Sequence, residues 1–390
     1  MSISVHNPDR YMSDLRTIIA QGRKRIGFLI GAGAAAGLKS ADGTKQLIPA
    51  VAGLTEQVLQ VLEAEYGPAL ESIKASLEAP NIESILSKIR ALSSVIGESE
   101  IDGLTGKGYA ELGDKICAEI GKIVAVSLPV KDNPYSSIVK WIVGSDRQHP
   151  VEIFTTNYDL LFEEAFENSC APYFDGFSGA RKPFFDAVTT ATNDLPARWT
   201  RLWKLHGSLG WESDSEQGII RVGGTSAKHL IFPEHLKYNQ TQKAPYSALF
   251  DRLSAFLLSE DTLLIAIGFS FADAHVAANV EQSLAANPSA SVFAFQYQNL
   301  KSENSAKSIA LRRPNFSVYS RDKAIINGIE GQWKLGQPLS KDWGAIRSTY
   351  WAPLAGTEGE FSLGDFTKFA DFFASSKSQQ ALNFKAEEEE

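Results

Sequence analysis

The sequence predicts an α/β fold: a doubly wound parallel sheet with an inserted helical subdomain and a C-terminal extension. Three observations point there. Short aliphatic runs at 25–30, 151–155 and 262–267 are each closed by glycine or polar residues, as strands buried on both faces are. Segments of helical periodicity separate most of these runs. The resulting alternation is that of βαβ units, whose parallel strands need crossovers of one hand.

Taken in order, residues 10–22 predict a first helix, and 25–30 (RIGFLI) a buried strand that stops at Gly31 in a tight turn. Residues 49–148 read as almost wholly helical. Within them, 81–96 places Ile82, Ile85, Leu86, Ile89 and Leu92 at helical spacing, with Asn81 as N-cap and Gly97 as stop. Further helices are expected at 109–128 and 133–143. The strand pattern returns at 151–155, followed by a helix at 159–168 and a strand at 201–206. Residues 211–234 read as a hairpin or meander, with Gly223-Gly224 as a turn between IIRV and HLIFP. Then come a helix at 245–259, a strand at 262–267, a helix at 272–286, a strand at 291–296 and a helix at 303–312. The region 321–390 carries Trp333, Trp343, Trp351 and a helix expected at 363–375. The divisions that follow are a sheet domain from 1–54 and 149–320, a helical insertion at 55–148 and an extension at 321–390. The insertion and the extension are candidate assembly surfaces; the plainer reading is that their aromatics belong to the core.

Composition narrows the function classes. The chain has 390 residues, 44% hydrophobic and 22% charged, which is ordinary for a globular protein that builds its own core. A net charge of −8 argues against a dedicated nucleic-acid binder, so nucleic acid enters only indirectly. Two distant cysteines, Cys117 and Cys170, cannot build a four-cysteine zinc site and read as free thiols of a reducing compartment. No metal is expected. The N-terminus is polar and no apolar run reaches the ~20 residues that span a bilayer. The expected location is the cytoplasm, without membrane contact. The run Glu387 to Glu390 reads as a solvated tail.

Four motifs close predicted strands, where ligands of open α/β sheets bind. Gly31-Ala32-Gly33-Ala-Ala35-Ala-Gly37 would let a backbone approach a pyrophosphate, as in a Rossmann-like domain; the alternative is a tight strand–helix turn with no ligand. Its GxGxxxG spacing and the lack of a following acidic residue separate it from ordinary dehydrogenases. Thr155-Thr156-Asn157-Tyr158-Asp159 offers five polar or aromatic residues in a row, of which capping of the next helix explains one. His206, in Leu205-His206-Gly207-Ser208, has a side chain suited to proton transfer near neutral pH. Gly268-Phe-Ser270-Phe-Ala-Asp273-Ala-His275 offers Gly268 and Ser270 to a ribose or phosphate, with Asp273 as a cap.

In this order the motifs resemble those of the sirtuin superfamily, and TTNYD with KLHGS is similar to its bacterial NAD-hydrolysing branch in antiphage defence. The resemblance runs over roughly 25–300. It implies a Rossmann-like fold and NAD as substrate. Gly31, Ala32 and Gly33 would cradle phosphates, with Thr156 also at the cofactor. Asn157 would hold the nicotinamide ribose and the attacking water, and Asp159 the nicotinamide carboxamide. His206 would act on the ribose hydroxyls or the water, and Gly268 and Ser270 would touch the adenosine half. It further implies a homo-oligomer and a HerA-type hexameric ATPase as partner. Three features depart from the family: Ala35 stands where serine or threonine is frequent, the zinc module of deacetylating members is absent, and the helical segment 55–148 replaces a shorter loop. The rivals are an NAD or ADP-ribose sensor, a nuclease subunit of an ATPase complex and a protein deacylase.

Overall fold

Hydrophobic runs that lack polar alternation must be covered on both faces, and the chain does this with helices on either side of one large sheet. The structure is a computed structural model describing residues 4–40, 43–130, 133–192, 194–223, 244–354 and 359–387. In chain order the strands are β1 (Val5–His6), β2 (Arg25–Ile30), β3 (Glu152–Thr155), β4 (Tyr173–Phe174), β5 (Phe177–Ser178), β6 (Phe184–Phe185), β7 (Thr200–Lys204), β8 (Trp211–Asp214) and β9 (Gly218–Arg221). They continue with β10 (Thr262–Ile267), β11 (Ser291–Phe295), β12 (Phe316–Tyr319), β13 (Lys323–Ile326), β14 (Ile329–Trp333), β15 (Trp351–Pro353) and β16 (Gly359–Phe361).

Ten strands form the main sheet in the order β1-β14-β13-β12-β11-β10-β2-β3-β7-β4. Its centre is parallel: Phe28 lies beside Ile265 on one side and Ile153 on the other. The fold class expected from the sequence is therefore the observed one. The sheet does not stop near residue 320, however. β12, β13 and β14 continue it as an antiparallel meander, and β1 pairs parallel with β14. The hairpin at 211–234 also differs. Its turn lies between β8 and β9, where Asp214 accepts hydrogen bonds from the Glu216 and Gln217 backbone N–H groups at 2.9 and 3.0 Å. The HLIFP part and Gly224 lie outside the described residues.

The helices are α1 (Pro8–Ala20), α2 (Gly33–Ala36), α3 (Val51–Ala75), α4 (Ile82–Ile96), α5 (Gly106–Val124), α6 (Pro134–Val143), α7 (Leu161–Asn168), α8 (Ala187–Ala191), α9 (Tyr246–Leu258), α10 (Ala274–Ala286), α11 (Asn304–Arg312), α12 (Trp343–Tyr350) and α13 (Phe366–Glu387). Phe28 and Ile30 point into one core, shared with α1, α3 to α7, α12 and α13. Leu29 points into the other, shared with α9, α10 and α11. Asn81 caps α4 as expected, accepting from the Glu83 and Ser84 N–H groups while the Ser84 hydroxyl accepts from the Asn81 N–H. Gly97 closes the helix at φ +61°.

The segment 51–143 is not one layer. α3, α4 and α5 pack on one another, whereas α6 lies over the sheet with α13. There Trp141 meets Phe28 edge-on at 5.9 Å and Phe373 at 4.8 Å. A second long-range lock joins α1 to α12: Asp9 is buried, accepts the Tyr350 hydroxyl at 2.6 Å and pairs with Arg347.

Candidate active site

The four motifs meet because their strands are neighbours. β10, β2, β3 and β7 lie side by side, and all four motifs leave their carboxyl ends. From β2 the chain goes to β3 and β7 on one side and later returns to β10 on the other. The strand order thus reverses beside β2, and the crevice at such a reversal is where open α/β sheets take their ligands.

The glycines of two motifs pack against each other. A Cβ on Gly31 would lie 2.3 Å from the Gly268 carbonyl oxygen, and one on Gly268 would lie 2.4 Å from the Ala34 nitrogen. Gly268 also holds φ +64°, which side chains rarely adopt. Close backbone approach between the turns after β2 and β10 therefore requires both residues. Gly31 is buried in this contact, while Ala32 and Gly33 remain exposed at the crevice. Ser270 is exposed, and its hydroxyl accepts from the Ala272 N–H at 3.4 Å.

After β3 the chain is held by Thr155, whose hydroxyl donates to the Ile30 carbonyl and accepts from the Asn157 N–H. The Asn157 side chain donates to the Gly31 carbonyl at 3.3 Å and toward the Asp159 carboxyl. Both donations use its amide nitrogen, so its carboxamide oxygen is fixed. That oxygen is buried and has no hydrogen-bond partner. Asn157 also lines a cavity of about 70 Å³, together with Ala32, Ala35, Pro49, Thr156 and Asp159 among others. Asp159 lies just before α7 and accepts from the Leu161 N–H at 3.1 Å in a local turn, while the N-cap position itself is Leu160 and has no side-chain cap, so the capping the sequence allowed is not what Asp159 does. Burial pushes its carboxyl above the ordinary range, against the attraction of Lys204.

His206 leaves β7 beside the exit from β3: Thr155 pairs with Lys204 and the Leu205 N–H donates to the Thr155 carbonyl. The imidazole is 3% exposed and its Nε2 lies 2.9 Å from a carboxylate oxygen of Asp273. Asp273 belongs to the β10 turn, three strands away, roughly 14 Å at the usual strand spacing. The two turns therefore lean together over the ends of β2 and β3. With its other oxygen Asp273 caps α10, accepting from the His275 and Val276 N–H groups. Capping thus coexists with a second role that the sequence reading missed. His275 itself is exposed.

Other charged residues were also missed. Lys204 is 2% exposed, and its ammonium joins the Asp159 carbonyl to the Glu163 carboxylate. Glu152, at the opposite end of β3, pairs with Arg252 at 2.5 and 2.8 Å and accepts the Trp203 indole N–H at 2.7 Å. A signal existed: a charge inside an apolar strand, as in Leu202-Trp-Lys204-Leu205 or Val151-Glu152-Ile-Phe, requires a buried partner. Among the described residues no group of three or more His, Cys, Asp and Glu side chains is placed to hold a metal, and no helix is long and apolar enough to cross a membrane.

Fold and site together define a Rossmann-like sheet with a polar crevice at its carboxyl edge. The family model described as a SIR2-like domain matches residues 151–319, which include Asn157, Asp159, His206 and Asp273 and leave out Gly31 to Gly33. That match associates this span with NAD-dependent chemistry in general. No curated protein matches. A solved structure titled "Structural Basis for the Mechanism and Regulation of Sir2 Enzymes" is similar at 13% identity and a TM-score of 0.35, over 76% of this chain and 89% of that one.

Proposed function

We propose that the chain is a zinc-independent NAD glycohydrolase, releasing nicotinamide and ADP-ribose. One observation carries the reading: a buried carboxamide oxygen without a partner and a carboxylate-paired imidazole leave adjacent strands at the same edge of the sheet. The cavity at Asn157 is smaller than the ~300 Å³ at which ligand pockets begin. It suits only the nicotinamide end of the substrate. The rest would lie outward over Ala32 and Gly33 toward Ser270, all of them exposed.

The reaction needs little covalent help from the protein. Nicotinamide departs with the electron pair of the C–N bond and leaves positive charge on the ribose. Water then forms the C–O bond at that carbon and gives up a proton. The fixed Asn157 oxygen would accept a hydrogen bond from the water or a ribose hydroxyl, and its dipole would face the developing charge. His206, oriented by Asp273, would take the proton. Asp159 would hold the carboxamide of the leaving group, and its burial favours a protonated carboxyl able to donate.

In the cell such an activity would deplete NAD. We place it as an effector of antiphage defence in the cytoplasm, working as a homo-oligomer with a HerA-type hexameric ATPase. These points rest on the resemblance of the motifs alone. The test is nicotinamide release by the purified chain, alone and with that ATPase. Asn157→Ala and His206→Ala should each lower turnover by about 10²-fold or more while melting near the parent. Parental rates in both variants would sink the assignment. Saturable NAD binding with no release under either condition would favour the sensor reading.

A further inference from the structure

A lysine inside an apolar strand is costly, because its ammonium leaves water and gains little in packing. Lys204 is such a residue: it is 2% exposed, at the carboxyl end of β7, two residues before His206. Neither proton transfer nor leaving-group binding uses it directly. Its Nζ donates to the Asp159 carbonyl and to a Glu163 carboxylate oxygen, the latter at 3.1 Å. The preceding carbonyl, that of Tyr158, accepts the Leu209 N–H at 3.0 Å. Residues at the exit from β7 therefore hold two successive carbonyls of the turn that carries Asp159. A buried ion pair that serves stability alone is often replaced by apolar residues without loss. Lys204 does what a leucine there could not: it grips a backbone carbonyl and sets a positive charge beside two carboxyl groups.

Asp159 meets titratable groups from several elements. Lys204 comes from β7, Glu163 from α7 and Tyr135 from α6, while Glu83 of α4 lines the same cavity as Asp159. Tyr173 of β4 stands near Glu163. Lys204 is the one cation among these groups. Burial raises both carboxyls above their ordinary range, and Lys204 pulls both back down. Without Lys204, Asp159 would keep its proton to higher pH. Without Glu163, the ammonium would act on Asp159 alone, which would release its proton at lower pH.

We propose that Lys204 is a positioning residue for Asp159: its ammonium pins the turn through the Asp159 carbonyl and divides its charge between the Asp159 and Glu163 carboxyls. Its value for NAD cleavage rests on the proposed function; its action on Asp159 does not. The test is a carbon-13 NMR titration of the full chain with labelled aspartate carboxyls, the Asp159 signal being assigned by its loss in Asp159→Asn. Lys204→Met should raise the proton affinity of Asp159 roughly tenfold or more. Glu163→Gln should lower it. A merely structural pin predicts otherwise: loosening admits water, and Lys204→Met then lowers the affinity toward that of an ordinary aspartate. Unchanged or lowered affinity in Lys204→Met overturns the proposal. Where that variant fails to fold, Lys204→Met/Glu163→Gln removes both charges and must bind the Asp159 proton more tightly than Glu163→Gln does. Equal affinity in those two overturns the proposal as well. In nicotinamide release, the alkaline limb of kcat/KM should move to higher pH in Lys204→Met by the same factor. A parent that releases no nicotinamide sinks the NAD reading, and the titration then decides on Lys204 by itself.

Discussion

The two ends of β3 and β7 are built to opposite rules. At the amino ends Glu152 is completed by the Arg252 guanidinium and the Trp203 indole, with Arg201 3.6 Å away. At the carboxyl ends Asn157 keeps an oxygen without a partner, and Ser208 and Glu163 do the same a few residues on. The same two strands therefore carry a cluster of paired charges around Glu152 at one end and buried oxygens without a hydrogen-bond partner at the other. A buried carboxylate held by guanidinium and indole donors fixes the strands that carry it. Unsatisfied buried atoms cost folding free energy and persist where something else is meant to meet them.

That contrast can be broken most severely at Glu152. Replacing it by alanine leaves two buried guanidinium groups without their carboxylate, and should cost about 3–5 kcal/mol of stability. Chemical denaturation would read this as a lowered midpoint. A midpoint within experimental error of the parent would mean that Glu152 does not hold the amino end together.

At the other end, Asp273→Asn should do the reverse. Asparagine can still cap α10, so melting should change little. It removes the charge 2.9 Å from His206, and turnover should fall roughly 10–100-fold at unchanged fold, the usual effect of losing an orienting partner. Parental turnover, in a protein shown to cleave NAD, would make Asp273 a cap and nothing more.

The smallest effect concerns pH. Burial pushes the Glu163 carboxyl above its ordinary 4.5, so the folded chain binds that proton more tightly than the unfolded chain does. Stability from this group is therefore greatest below 4.5 and declines as pH rises from there to the raised folded value. Asp159 is raised for the same reason and contributes a parallel decline. Glu163→Gln should make the fall in urea midpoint with rising pH shallower without removing it. Identical slopes in parent and variant would show that Glu163 binds its proton equally well in the folded and unfolded chain.

Much of the scaffold was legible because it is local. The run at 25–30 and the run at 262–267 are strands to the residue, and Asn81 caps its helix, since glycine stops and side-chain caps act within a few positions. The crevice motifs were legible because they close those strands. The pairing of His206 with Asp273 was not, because it joins turns three strands apart. Lys204 read as an ordinary strand residue until its buried partners appeared. β13 and β14 were missed despite a plain signal: Asn327-Gly328, both at positive φ, is the turn that favours a two-residue hairpin. Only the tertiary structure reveals that α6 and α13 cover the same sheet face.

The lock between Asp9 and Tyr350 spans 341 residues of chain, and Phe28 rests on Phe369 and Phe373. During synthesis β2 leaves the ribosome early and waits for helices made near the end of this sequence to cover it. Its Gly31 turn waits likewise for Gly268. A nascent chain therefore carries the crevice residues without the crevice.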